Sequence, residues 1–162
     1  MAAKKKILFV CLGNIVRSPL AEHMLKKLAN EEGVGKYYQV DSAGTSAYHV
    51  GEAPDPRMRQ VAAQYGLIYT GHSRQFKMRD FSAYDLIVPM DAANLHSLNR
   101  MANTPEDVKK IKMLRTFDPS NPKAMDVPDP YYGGMRGFES VYEMVESACR
   151  GLLEVLEVER LR

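Results

Sequence analysis

Short apolar runs and three-to-four-residue apolar periods alternate along this chain. Runs rich in Val, Ile, Leu and aromatics at Lys6–Cys11, Tyr38–Ser42, Leu86–Met90 and Lys112–Phe117 predict strands. Helical patterns fall between them at Pro19–Asn30, Pro56–Tyr65 and Ala92–Met101. The last and longest runs from about Phe138 to Leu161, where Phe138, Val141, Val145, Cys149, Leu152 and Leu156 make one apolar face. Such β–α alternation predicts an α/β fold. The expected architecture is one domain over residues 1–162, with a central, mostly parallel four-stranded sheet and helices on both faces. A single long irregular stretch, Asp118–Gly137, is dense in Pro, Gly, Asp and Tyr, and loops of that length in compact domains are usually functional.

Composition narrows the partners more than the fold. The 162 residues suffice for a substantial core, and 45% apolar with 26% charged residues is ordinary for a globular protein. A net charge of +2 gives no reason to expect nucleic acid or a membrane surface as partner. Lys4-Lys5-Lys6 reads as the solvated end of a strand rather than a docking patch. No apolar stretch approaches the ~20 residues of a membrane span. The first residues lack the apolar core of a secretory signal. Cys11 and Cys149, the two cysteines, could in principle pair, but nothing in the sequence resembles a disulfide framework. The expectation is a cytoplasmic monomer with reduced thiols.

The chemistry concentrates where the first strand ends. Val10-Cys11-Leu12-Gly13-Asn14-Ile15-Val16-Arg17-Ser18-Pro19 takes the chain from a buried strand through a tight loop into a helix. Backbone N–H groups of such a loop and of the first helical turn converge on one spot, where the helix dipole adds partial positive charge. A thiol at that spot is favoured as its thiolate. Gly13 and Asn14 tolerate the positive φ that a cup of inward N–H groups demands. Ser18 is expected to cap the helix with its hydroxyl, with Pro19 at the first helical position. Ser18 is also near enough in sequence to donate to the sulfur. Arg17 offers a planar fork matched to two phosphate oxygens. A lone cysteine after an apolar strand is ordinarily a small buried hydrophobe; here the context around Cys11 gives it equipment for attacking a phosphate ester.

A phosphoryl group taken by sulfur leaves an alkoxide or phenoxide that needs a proton. Asp126 and Asp129 are the candidate acids in the irregular stretch. Pro128 and Pro130 stiffen the backbone around Asp129, which makes it the better choice. The acid must hold a proton at working pH, which partial burial and a nearby phosphate dianion would favour. Tyr131 and Tyr132 beside it suggest a wall for a flat substrate, and Tyr48 is a candidate second wall or a plain surface residue.

Cys11-Leu12-Gly13-Asn14-Ile15-x-Arg17-Ser18-Pro19 together with Asp129-Pro130-Tyr131-Tyr132-Gly133 resembles the low-molecular-weight protein tyrosine phosphatases. The likeness extends through Val40-Asp41-Ser42-Ala43, Val50-Gly51 to Pro54-Asp55, Gly71-His72-Ser73-Arg74-Gln75 and Met90-Asp91-x-x-Asn94-Leu95. The resemblance implies a two-step hydrolysis of phosphotyrosine in proteins that uses neither metal nor cofactor. In it Cys11 becomes a phosphocysteine, and Asp129 protonates the leaving oxygen and then activates water. Arg17 and the amides of Leu12, Gly13, Asn14, Ile15 and Val16 would hold the phosphoryl oxygens. Asn14, Ser18, Ser42 and His72 would brace the loop, while Ile15, Tyr48, Tyr131 and Tyr132 would contact the substrate ring. One departure is Val16, which stands where most relatives carry a second cysteine able to pair with the nucleophile. Redox protection of Cys11 is therefore expected to be weak.

Three other functions are measured against this one. Protein-arginine phosphatases of the family tend to carry Thr at the position of Ile15 and lack the paired tyrosines. Arsenate reductases of the same fold need additional cysteines to relay a disulfide, and Cys149 falls on a helical apolar stripe. A non-catalytic phosphopeptide-binding module would be expected to have lost Cys11, Arg17 or Asp129.

Overall fold

Ile7, Leu8, Phe9 and Val10 are all completely buried, so both faces of the first strand must be covered. In chain order the elements are β1 (Lys5–Cys11), α1 (Arg17–Glu31), β2 (Tyr38–Gly44), α2 (Pro56–Gln64), α3 (Asp80–Ala83), β3 (Leu86–Pro89), α4 (Ala92–Met101), α5 (Pro105–Lys109) and α6 (Met135–Arg160). Two 3-10 turns lie at Gly35–Tyr37 and Leu114–Phe117. The computed structural model describes residues 3–120 and 126–162; residues 121–125 of the predicted irregular stretch lie outside these.

β1 is the middle strand of a parallel sheet ordered β2-β1-β3. Its side chains alternate as strand geometry requires. Ile7, Phe9 and Cys11 pack with residues of α1, α2 and α6, while Leu8 and Val10 pack with Phe81 of α3 and Leu98 of α4. The register sets Cys11 opposite Gly44, and Val10 opposite Pro89. All three strands therefore deliver their carboxyl ends to one rim, where ligands bind in such sheets. Among the described residues no helix is long and apolar enough to cross a membrane.

The sheet has three strands among the described residues, not the four expected. Of the predicted Lys112–Phe117 strand, the sheet-like contact is a single parallel bridge from the preceding Ile111 to Ile87. The chain then coils at Leu114–Phe117, burying Leu114 and laying Phe117 against the main core. Gly151 of α6 receives this turn, since a Cβ there would overlap the Phe117 carbonyl oxygen. An apolar run this short serves a 3-10 turn as well as a strand, and docking on α6 decides it.

The start of α1 also differs. The helix begins at Arg17 with Val16 as N-cap and no side-chain cap. Ser18 is inside the first turn, and its hydroxyl bonds elsewhere. Pro19 still costs no hydrogen bond, because the first four helical N–H groups have no partner within the helix.

Candidate active site

The loop after β1 is held from outside by its carbonyls. Cys11 O accepts from Thr45 N and Leu12 O from Ser46 N, both at 2.9 Å. Gly13 O accepts from the Ser73 hydroxyl at 2.9 Å, and Ile15 O from Asp55 N at 2.7 Å. A planar peptide points its N–H opposite to its C=O, so anchoring these carbonyls outward turns the following N–H groups inward. Asn14 N–H shows the result by donating to Cys11 Sγ at 3.3 Å. Gly44 permits the tight packing behind the loop, because a Cβ there would stand 2.7 Å from Leu12 O.

Asn14 is the one non-glycine residue at positive φ among the described residues, at 58°. Gly13 does not share that conformation, contrary to expectation. The Asn14 amide stabilises its own conformation by using three hydrogen bonds: Nδ2 donates to Ser18 Oγ at 2.9 Å and to Ser42 Oγ at 3.0 Å, and Oδ1 accepts from Arg74 N at 2.9 Å. Ser18 Oγ is thereby an acceptor from Asn14, which leaves its hydrogen for Cys11 Sγ at 2.9 Å or the Ala43 carbonyl at 3.3 Å. The shorter contact is to sulfur. Ser42 in turn donates to Glu22 Oε1 at 2.7 Å, so linked hydrogen bonds run from the sulfur through Ser18, Asn14 and Ser42 to a largely buried carboxylate. His72 stays outside this network: it is exposed and makes no hydrogen bond among the described residues, and its neighbours Ser73 and Arg74 brace the loop instead.

Arg17 is buried, with a fixed set of partners. Nη1 donates to Asp91 Oδ2 at 2.6 Å and to Val127 O at 2.9 Å, while Nη2 lies 3.5 Å from Asp129 Oδ2. Asp91 is the N-cap of α4, and its other oxygen accepts from Asn94 N at 2.8 Å. A buried guanidinium needs such a partner, since an unpaired one costs roughly 3–5 kcal/mol. Asp91 is a site residue whose role the sequence did not disclose. Val127 ties the acid-bearing stretch to the sheet rim, donating to Met90 O at 2.8 Å while its carbonyl receives Arg17.

The two candidate acids part company here. Asp126 Oδ1 accepts from Ala92 N at 2.9 Å, at the start of α4. Asp129 faces a cleft of about 530 Å³ that Cys11, Arg17 and Ile15 also line. Its side chain is 40% exposed, more open than the partial burial expected. Asp129 Oδ1 accepts from Tyr131 N at 3.0 Å, leaving Oδ2 toward Arg17.

Tyr48, Tyr131 and Tyr132 come together on the cleft walls from separate parts of the chain. Tyr131 and Tyr132 meet edge to face at 5.0 Å, and His49 sits between Tyr48 and Tyr131 at 4.8 and 6.0 Å. Ser46 and His49 line the same cleft, and neither carried a signal in the sequence. The floor is apolar at Ile15 and Val16. The arrangement suits a flat aryl group with an anionic end at the Cys11 loop. Among the described residues no three His, Cys, Asp or Glu side chains converge as metal ligands. Cys149 is fully buried in α6, and burial pushes its thiol well above the usual range.

Comparison with known proteins agrees in outline and extent. The profile of the family described as low molecular weight phosphotyrosine protein phosphatase matches residues 6–161. A low molecular weight protein-tyrosine-phosphatase of Streptomyces coelicolor is 46% identical over 149 residues, 91% of each chain. A human low molecular weight phosphotyrosine protein phosphatase is 41% identical, covering 94% of this chain and 96% of its own. The crystal structure of a protein tyrosine phosphatase from Entamoeba histolytica, with Hepes in the active site, superposes with a TM-score of 0.92. It is 39% identical and covers 97% of this chain and 99% of its own.

Proposed function

This chain belongs to the low molecular weight phosphotyrosine protein phosphatase family, and we propose that its hydrolysis of phosphotyrosine in proteins runs through a phosphocysteine on Cys11. The observation that carries the mechanism is the sulfur itself, within reach of the Ser18 hydroxyl and the Asn14 N–H in the cleft that Arg17 and Asp129 line. In the first step the thiolate attacks phosphorus and the bond to the tyrosyl oxygen breaks. Asp129 gives its proton to that oxygen; Oδ2 carries it, because Oδ1 already accepts from Tyr131 N. In the second step water attacks the same phosphorus, Asp129 takes a proton from the water, and the P–S bond breaks to return the thiolate.

Transition-state charge spreads over the phosphoryl oxygens, so prearranged donors do most of the catalytic work. The N–H groups of residues 12–17 would supply them, together with the Arg17 nitrogens not engaged by Asp91 and Val127. Ile15 and the three tyrosines favour an aryl phosphate over a phosphoarginine. The mechanism draws every residue it uses from one chain, which is compatible with a monomer as the working unit.

Rapid quenching with labelled aryl phosphate tests this reading. Label held covalently at Cys11 is expected, and Cys11→Ser should bind phosphate without turnover. Residual wild-type turnover in that variant means another nucleophile. Asp129→Ala should slow phenyl phosphate by roughly 10²–10⁴ while sparing esters of acidic phenols.

A further inference from the structure

Arg57 does not line the cleft, yet it joins the two halves of the site. Asp55 begins the connection. Its N–H donates to Ile15 O of the sulfur-bearing loop at 2.7 Å, and its buried carboxylate caps α2 by accepting from Arg57 N at 2.8 Å. The same carboxylate grips the Arg57 guanidinium twice, from Nε at 3.2 Å and from Nη2 at 2.9 Å. The remaining nitrogen, Nη1, donates to Tyr131 O at 2.9 Å. The guanidinium also lies over the rings of Tyr131 and Phe138, with centroids 5.0 and 4.6 Å away. Tyr131 N–H then donates to Asp129 Oδ1 at 3.0 Å.

One continuous path thus runs from the Ile15 carbonyl of the sulfur-bearing loop to the Asp129 carboxyl. Arg57 holds the carbonyl of Tyr131 and Asp129 is held by the N–H of the same residue; with Pro128 and Pro130 leaving the intervening backbone little freedom, restraining Tyr131 restrains Asp129 as well. We propose that Arg57 is a positioning residue for proton transfer: clamped by Asp55, it sets where Asp129 stands relative to Cys11. This rests on the reading of Asp129 as general acid. Only a planar fork serves this purpose. It must hold a carboxylate with two donors and a carbonyl with a third while presenting flat faces to two rings, which a lysine ammonium cannot do.

The test compares kcat/KM for phenyl phosphate, whose leaving group needs a proton, with 2,4-dinitrophenyl phosphate, whose leaving group does not. The variants are Arg57→Ala, Arg57→Lys, Asp129→Ala and the double variant Arg57→Ala with Asp129→Ala. A displacement of about 1 Å costs on the order of a hundredfold. Arg57→Ala and Arg57→Lys are therefore expected to lose about ten- to a hundredfold on phenyl phosphate and less than about threefold on the activated ester. The double variant should be no slower than Asp129→Ala on phenyl phosphate, because a residue acting through Asp129 has nothing left to position.

Equal losses on both esters, or full additivity in the double variant, overturn the proposal. If Asp129→Ala shows leaving-group bias and neither Arg57 variant does, the clamp fails while the acid assignment stands. If Asp129→Ala shows no bias, the acid assignment falls and the clamp with it. Should Arg57→Ala not fold, Arg57→Lys, which keeps the charge and the aliphatic stem, reads the same outcomes.

Discussion

Ser18 shows how much one hydroxyl is asked to do. Its oxygen accepts from Asn14 and its hydrogen is within reach of the sulfur, so in the proposed mechanism it would stabilise the thiolate that leaves when the phosphocysteine breaks down. A hydrogen bond to a charged group contributes ~1.5–3 kcal/mol, so Ser18→Ala should slow that second step about ten- to a hundredfold. Phosphoenzyme would then accumulate, visible as a burst of aryl alcohol at full enzyme stoichiometry; an unchanged rate without a burst contradicts the assignment. Val16 leads to a redox prediction. The residue beside Arg17 has no thiol, and Cys149 is locked in the core with its Sγ directed at Ala21 O. Peroxide should carry Cys11 past the sulfenic stage to acids that dithiothreitol does not reverse. Mass spectrometry of the treated protein should find two added oxygens on Cys11, and full recovery of activity on reduction would refute it. That Cys11, Arg17 and Asp129 share one cleft is legible because each sits in a short local pattern with its own chemistry. Asp91 and Arg57 are not, because each meets its partner 74 positions away, and only the folded chain brings them together.

At the scale of elements, α4 and its cap carry a double duty. Asp91 holds the helix N-terminus with one oxygen and Arg17 with the other. Asp91→Ala should cost about 1 kcal/mol for the cap and roughly 3–5 kcal/mol for the stranded guanidinium, read as a lowered urea midpoint. Asp91→Asn keeps a good cap but removes the charge, so it should recover the smaller part of the stability only. Equal stability of both variants would mean Arg17 finds another partner. α4 is readable to the residue, and β1 nearly so, because the first keeps a helical period and the second is an unbroken apolar run. Lys112–Phe117 departs from the expected strand because six residues cannot separate a strand from a 3-10 turn; Gly151, distant in sequence, makes the choice. α3 and α5 span four and five residues, too few to display a helical period. Thr104-Pro105 is a fair start signal for α5, its hydroxyl accepting from Asp107 N at 3.1 Å.

For the whole molecule, the main pH liability lies on the acid side. Arg160 holds Glu157 bidentately and, aided by the Tyr38 hydroxyl and against some burial, brings its carboxyl from 4.5 down to about 2. Burial works against ionisation of Asp55 and Asp118. Bonds from Arg57 outweigh it at Asp55, and those from Ser120 and Ser147 at Asp118, so both are held below the usual range. A depressed folded value means stability that is fully present above the unfolded value and lost as pH falls through the folded one. Melting temperature should therefore decline between about pH 4.5 and 2, and Glu157→Gln should flatten part of that decline. A slope unchanged by the substitution would assign the loss to other carboxylates. The last consequence comes from the carbonyls anchored behind the Cys11 loop. A mould whose shape is kept by its backing does not collapse between guests, so orthophosphate, the spent product, meets a seat already prepared for it. At a hundred times its dissociation constant it should stabilise the protein by about 2.7 kcal/mol, a rise in melting temperature of roughly 5–10 °C.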